Sequence, residues 1–87
     1  MGEMEQAIKD YIRHEHLENN PRLTLDNDLP LIQQGIIDSL GVFLLAGFME
    51  ERFGVKIHEE EVILENFETI NAMIVLLKRK LPSSPTA

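Results

Sequence analysis

The chain has 87 residues, which is enough for one small domain and too short for two. Fifteen acidic against eight basic residues give a net charge of −7, the wrong sign for neutralising nucleic-acid phosphates or an anionic membrane surface. Cysteine is absent, which excludes a disulfide framework and a thiolate metal site. The longest uncharged apolar run, residues 40–49, is about half of what a membrane helix requires. We therefore expect a cytoplasmic monomer with no nucleic acid partner and no membrane insertion.

The first segment has the apolar spacing of a helix. From Glu3 to Leu17 the apolar residues recur every three to four positions, and Asn19-Asn20-Pro21 then ends the pattern. His14 and His16 lie two apart in this helix, so they point about 200° away from each other and cannot share a metal ion. We expect both imidazoles to be solvated.

The segment from Arg22 to Asp38 has no sustained periodicity. Its many scattered leucines and isoleucines predict a long loop that is pinned across a core, with room for one helical turn near residues 31–34. Asp26-Asn27-Asp28 opens like a calcium loop, but Leu31 replaces the required glycine and Ile37 the bidentate glutamate. We expect the two aspartates to cap turns and predict no metal site.

A second helix is predicted from Asp38-Ser39, which supplies an N-cap, to about Phe53, with Gly54 in the favoured terminating position. Large apolar groups surround this helix almost completely, although a surface helix is normally apolar along one stripe. Either the helix is central and its residues are core, or part of it is a docking surface. We favour the docking surface.

Two further helices complete the prediction. His58 to Leu64 reads as a short acidic helix, whose glutamates 59–61 suit a helix N-terminus. Thr69 caps the last helix, which ends in the basic run 78–80. The predicted fold is all-α: a small four-helix bundle, three helices long and one short, with a long loop between the first and second helices. We expect residues 1–81 to form the domain and residues 82–87 to be a disordered tail.

Ser39 lies where the second helix begins, and a helix N-terminus is a natural anion site. A phosphate esterified to Ser39 would be stabilised there, and the adjacent Asp38 could orient a metal or a base. Position alone favours a simpler interpretation in which both residues only cap the helix.

The surrounding residues change that balance. The run Gly35-Ile36-Ile37-Asp38-Ser39-Leu40 resembles the Gly-x-x-Asp-Ser-Leu attachment motif of acyl carrier proteins. The resemblance covers roughly Leu29 to Leu81, and it includes residues 50–57, which are similar to the end of that family's second helix. Residues 65–70 are similar to its lead into the last helix.

The resemblance implies that Ser39 receives 4′-phosphopantetheine from coenzyme A, transferred by a separate phosphopantetheinyl transferase with Mg²⁺. The thiol of that arm holds acyl or aminoacyl groups as thioesters. The chain itself would have no catalytic residues and would not be an enzyme. Its other partners would be an adenylating ligase or acyltransferase and downstream enzymes of fatty-acid, polyketide, nonribosomal peptide or other specialised acyl metabolism.

One feature departs from the family pattern. Fatty-acid carriers usually have acidic residues just after the serine, but here no charge occurs before Glu50. We therefore expect a carrier of a specialised pathway, with Asp38, Leu40, Phe43 and Leu44 binding partners. The alternative from another class is a non-covalent helical adaptor that uses the apolar second helix. A small hydrolase using Ser39 lacks a credible His–carboxylate pair.

Overall fold

A computed structural model describes residues 2–18 and 22–80, and within these ranges all regular structure is helical. The helices are α1 (Glu3–His16), α2 (Ser39–Phe53), α3 (Leu64–Phe67) and α4 (Ile70–Lys80), and a 3-10 turn (Glu59–Glu61) precedes α3. The predicted all-α bundle of three long helices and one short helix is confirmed. The tail assigned to residues 82–87 lies outside the described residues, and the domain boundary at residue 81 stays a prediction.

The described part of the chain has one apolar core. Residues from every helix and from the segments before and after α2 are buried in this core. None of the described polar or charged residues is buried. The fully buried large side chains come from α1, α2, α3, α4 and the first loop: Ile8, Ile12, Leu31, Ile37, Leu45, Met49, Phe67, Ile70, Met73, Leu76 and Leu77. In a chain of this size, such sharing of a single core is what gives each helix its place.

Both ends of α2 follow the sequence signals. The Asp38 carboxylate accepts a hydrogen bond from the Gly41 amide (2.8 Å), which satisfies one of the amides left without a partner in the first turn. Gly54 ends the helix in the left-handed conformation, with φ 68° and ψ 30°, and donates its amide to the Glu50 carbonyl (3.0 Å). Glycine adopts this conformation without the steric cost that a Cβ would add.

The long first loop is held against the end of the bundle where α4 begins. Leu25, Leu31 and Ile37 are buried, as the scattered apolar residues predict. The Leu31 amide donates to the Glu68 carbonyl (2.8 Å), and the Asn71 side chain donates to the Asp28 carboxylate (2.6 Å). The loop therefore crosses the core and is bonded to α4. Asp28 connects the loop to α4 through Asn71, in addition to any role in its turn.

The short acidic helix predicted from His58 to Leu64 is confirmed only in part. The three glutamates form a single 3-10 turn, and α3 occupies Leu64–Phe67, where the sequence suggested only a lead-out. The Glu61 carboxylate accepts from the His58 amide (2.9 Å), which closes the first turn on itself. Phe67, the last residue of α3, is fully buried. Its contact with the core orients α3.

Candidate functional site

Ser39 is the first residue of α2, and its side chain is exposed. The preceding residue, Asp38, is extended and its carboxylate is committed to the Gly41 amide. The first amides of a helix, here those of Ser39 and Leu40, have no acceptor within the helix. The serine hydroxyl therefore lies in solvent beside the positive end of a helix, where an attached phosphate would be stabilised.

The residues before Ser39 form a turn that is anchored at both ends. The Gln34 amide donates to the Pro30 carbonyl (2.9 Å), which is the helical turn expected near residues 31–34. Gly35 then reverses the chain with φ 75°, a value that favours glycine. Ile37 is buried two residues before the serine. This arrangement fixes the backbone on one side of Ser39, while the helix fixes it on the other.

His16 lies against the start of α2, which the sequence reasoning did not foresee. A Cβ added at Gly41 would lie 3.2 Å from Cε1 of His16 and 2.9 Å from Cγ2 of Ile37, so the glycine permits close packing here. The imidazole is half-buried, and its Nε2 has no hydrogen-bond partner among the described residues. The expectation that His16 is solvated is therefore wrong, whereas His14 is exposed. Sequence spacing could not show this contact, because it depends on how α1 crosses α2.

An exposed apolar face runs along α2 from its first turn. Leu40, Phe43 and Leu44 are 65%, 61% and 52% exposed. Their spacing places them on one side of the helix, in line with Gly47 and Glu51 further along. The opposite side, which includes Val42, Leu45, Ala46 and Met49, is buried in the core. The apolar residues that surround this helix thus divide into a core face and a solvent face.

A groove lies between this face and α1. Tyr11 and Phe48 stack with their ring centroids 4.3 Å apart and form one wall. Phe43, Leu44 and Gly47 line the other side, and the groove has a volume of about 630 Å³. Burial raises the pKa of the Tyr11 phenol, and the nearby Glu15 carboxylate raises it further. We call this feature the aromatic groove.

The basic end of α4 and the acidic 3-10 turn contact each other. Lys80 pairs with Glu61 and joins the acidic turn to the end of α4. The hydrogen bond from the Lys80 ammonium to the Glu61 carboxylate lowers the pKa of Glu61, and the hydrogen bond from the His58 backbone amide lowers it further. Among residues 2–18 and 22–80, no group of three acidic or histidine side chains is placed to hold a metal ion.

Part of this chain is similar to a curated protein. No protein-family model matches the chain. A protein of Serratia sp. described as "Probable acyl carrier protein PigG" is 34% identical over 55 residues. The match covers 63% of this chain and 63% of the relative, so it spans less than two thirds of that protein. It confirms the resemblance to the acyl carrier protein family. Over the described ranges, no helix combines the length and apolar content needed to cross a bilayer.

Proposed function

We propose that this chain is an acyl carrier protein whose Ser39 bears a 4′-phosphopantetheine arm. The observation that carries the proposal is the exposed hydroxyl at the first residue of α2, within the run Gly35–Leu40. A serine that served only as a helix cap would sit at the N-cap, but here Asp38 occupies that position and makes the capping hydrogen bond. The serine side chain is thus available for modification, and the likeness to a carrier protein supports the same conclusion.

The residues around Ser39 suit such an arm. Its phosphodiester would lie next to the unsatisfied amides at the start of α2, which favour an anion. Asp38 would hold the start of the helix in place through its bond to Gly41, and the buried Ile37 would keep the preceding turn from moving. When bound, the arm supplies the thiol that this cysteine-free chain lacks, and acyl or aminoacyl groups are carried on it as thioesters.

Attachment of the arm is a phosphoryl transfer performed by a separate enzyme. The Ser39 Oγ attacks the phosphorus that bears pantetheine in coenzyme A, and a new P–O bond forms. The bond from that phosphorus to the bridging oxygen breaks, and adenosine 3′,5′-bisphosphate leaves with the electron pair. The serine proton passes to a base of the phosphopantetheinyl transferase, which also supplies the Mg²⁺ site. The carrier contributes the nucleophile and its position, and it is not an enzyme.

The exposed face of α2 is the proposed contact for partner enzymes, and it includes Leu40, Phe43 and Leu44. With Asp38 at its head, this face adjoins the modified serine, so an enzyme that reaches the arm also meets apolar side chains. These partners would be the transferase, an adenylating ligase or acyltransferase, and downstream enzymes of specialised acyl metabolism in the cytoplasm. An exposed apolar patch next to a functional group is typical of an interaction surface.

The test is mass spectrometry of the apo-protein after incubation with coenzyme A, Mg²⁺ and a broad-specificity phosphopantetheinyl transferase. We expect a gain of one phosphopantetheine, mapped to Ser39, and no gain in Ser39→Ala. The chain has two other serines, so the double variant Ser83→Ala/Ser84→Ala is the matched control and should be modified like the wild type.

Two outcomes would contradict the proposal. Modification that persists in Ser39→Ala would refute the site. A folded wild-type protein that gains no mass, yet binds a partner through α2, would instead indicate the non-covalent adaptor, because an adaptor needs the apolar face and not the serine.

A further inference from the structure

We propose that a cleft at the end of the bundle remote from Ser39 binds a free apolar amino acid without a covalent bond. The cleft lies between the first turn of α1, the last turn of α2 and α4, and its volume is about 660 Å³. Phe53 lines it and follows Ser39 by fourteen residues of α2, a distance of about 21 Å along the helix axis. We call this feature the distal cleft. The inference goes beyond the proposed function and does not rest on it, because the distal cleft takes no part in attaching the arm.

Apolar side chains from three helices line part of the distal cleft. Met4, Phe53 and Ile74 are each partly buried and pack against the core, and each leaves some apolar surface towards the cleft. Because α1, α2 and α4 contribute one residue each, this surface is assembled only in the folded bundle. A mainly apolar cavity of about 300–1,000 Å³ with a few polar groups is the usual form of a small-molecule site.

Two cations border the distal cleft without a carboxylate partner. Arg52 contributes from α2, where its guanidinium carbon lies 5.4 Å from the centroid of the Phe53 ring, and Lys78 contributes from α4. Within residues 2–18 and 22–80, neither side chain forms an ion pair, and both are exposed. In a chain of net charge −7, two unpaired cations at one cleft favour a ligand with a carboxylate, which an arginine binds through two parallel hydrogen bonds.

Hydrogen-bond acceptors border the cleft from α1 and the first loop. The Glu5 carboxylate accepts hydrogen bonds from Lys9 Nζ (3.0 Å) and from the Asn27 side chain, so the amide nitrogen of Asn27 is committed. The Asn27 Oδ1 is shielded from solvent and has no hydrogen-bond partner among the described residues. A buried acceptor without a donor destabilises the protein, and a ligand ammonium in the cleft would supply the donor. The exposed Glu3 carboxylate, also at the cleft, would attract the same ammonium.

The three features together select the class of ligand. A carboxylate satisfies Arg52 and Lys78, an ammonium satisfies the Asn27 oxygen, and an apolar side chain covers the surface of Met4, Phe53 and Ile74. An apolar α-amino acid carries all three groups. A fatty acid lacks the ammonium, and an apolar amine lacks the carboxylate, so each would leave one of these features unmatched.

The experiment is an NMR titration of the ¹⁵N-labelled chain with L-phenylalanine and, separately, L-leucine in the millimolar range. We expect saturable shifts of the backbone amides of Asn27, Asn71 and Ile74, while those of Ser39 and Leu40 stay in place. N-acetyl-L-phenylalanine lacks the ammonium and L-phenylalaninamide lacks the carboxylate. Each should bind about tenfold more weakly than L-phenylalanine, since each loses one set of charge-assisted hydrogen bonds.

Matched variants test the contribution of Arg52. Arg52→Gln should raise the Kd for L-phenylalanine about tenfold, because it removes the fork that binds the carboxylate. Arg79→Gln is the control, since Arg79 is exposed on α4, does not line the distal cleft and carries the same charge. Circular dichroism of both variants shows whether the bundle is intact.

Four results would overturn the inference. Neither amino acid reaches saturation; L-phenylalanine and its two uncharged-end analogues bind equally well; Arg52→Gln and Arg79→Gln weaken binding to the same extent; or the shifts centre on Leu40, Phe43 and Leu44 and thus on another surface. Ser39→Ala should bind the amino acid like the wild type. Failure of the cleft therefore leaves the proposed attachment at Ser39 untouched, and failure of attachment leaves the cleft untouched.

Discussion

The two glycines inside α2 allow the packing of this helix to be tested with a matched pair of substitutions. Gly41 and Gly47 lie on the same helix, and each can be changed to alanine. At position 47 the new Cβ meets open space. At position 41 it would lie 2.9 Å from Cγ2 of Ile37, a separation at which one of the two groups must move. The same chemical change should therefore have opposite effects on stability.

The magnitudes follow from two terms. Alanine stabilises a helix interior by about 1 kcal/mol relative to glycine, and Gly47→Ala should gain close to this amount. Gly41 is in the first turn, where that gain is smaller. Ile37 is 1% exposed and β-branched, so it has little freedom to rotate away, and overpacking of a core costs about 1–3 kcal/mol. We expect Gly41→Ala to be less stable than Gly47→Ala by about 1–4 kcal/mol, which is the overpacking cost plus the part of the helix gain that position 41 lacks.

Urea and thermal unfolding followed by circular dichroism measure this difference. For a domain of this size, each kcal/mol corresponds to about 4–8 °C in Tm. Gly47→Ala should unfold above the wild type, and Gly41→Ala at or below it. If Gly41→Ala proves as stable as Gly47→Ala, then α1 and the first loop do not pack against the start of α2 as described.

Two further predictions concern single polar contacts. Asp38→Ala removes the cap of α2 and should lower the free energy of unfolding by about 0.5–2 kcal/mol in urea, while Asp38→Asn retains an acceptor and should stay close to the wild type; equal losses in both would contradict the capping role. Glu61 has a lowered pKa, mainly through Lys80, so its stabilising effect is present above its ordinary value of 4.5 and disappears as pH falls through the folded value. Glu61→Gln should accordingly have a lower Tm than the wild type at pH 7 and the same Tm well below pH 4, whereas a difference that persists in acid would exclude this origin.

The ends of the long helices were predictable because their signals are local. Asp38 and Gly54 bracket α2 through contacts made within one turn of the chain. The short third helix was not predictable in the same way. Its start has no capping signal, since Ile63 occupies the N-cap and makes no side-chain hydrogen bond, and its position depends on where Phe67 enters the core. Tertiary packing of one aromatic ring thus overrides the pattern of the preceding glutamates.

The candidate site divides along the same line. A sequence motif was enough to single out Ser39, and the cap at Asp38 follows from the residue types alone. The contact of His16 with the start of α2 and the stacking of Tyr11 on Phe48 depend on the crossing of two helices. Sequence could also not show which side of α2 is buried, since apolar residues surround it. The positions of α1 and the first loop determine which side of α2 is buried.

The exposed face of α2 and the acidity of the chain are physically connected. Leu40, Phe43 and Leu44 form an apolar surface that would favour association between copies. A net charge of −7 opposes such association, because like-charged molecules repel as they approach. A partner with basic residues around an apolar centre experiences attraction from both terms. Under the proposed carrier function, the same combination that keeps copies apart would therefore favour partner enzymes with this surface chemistry.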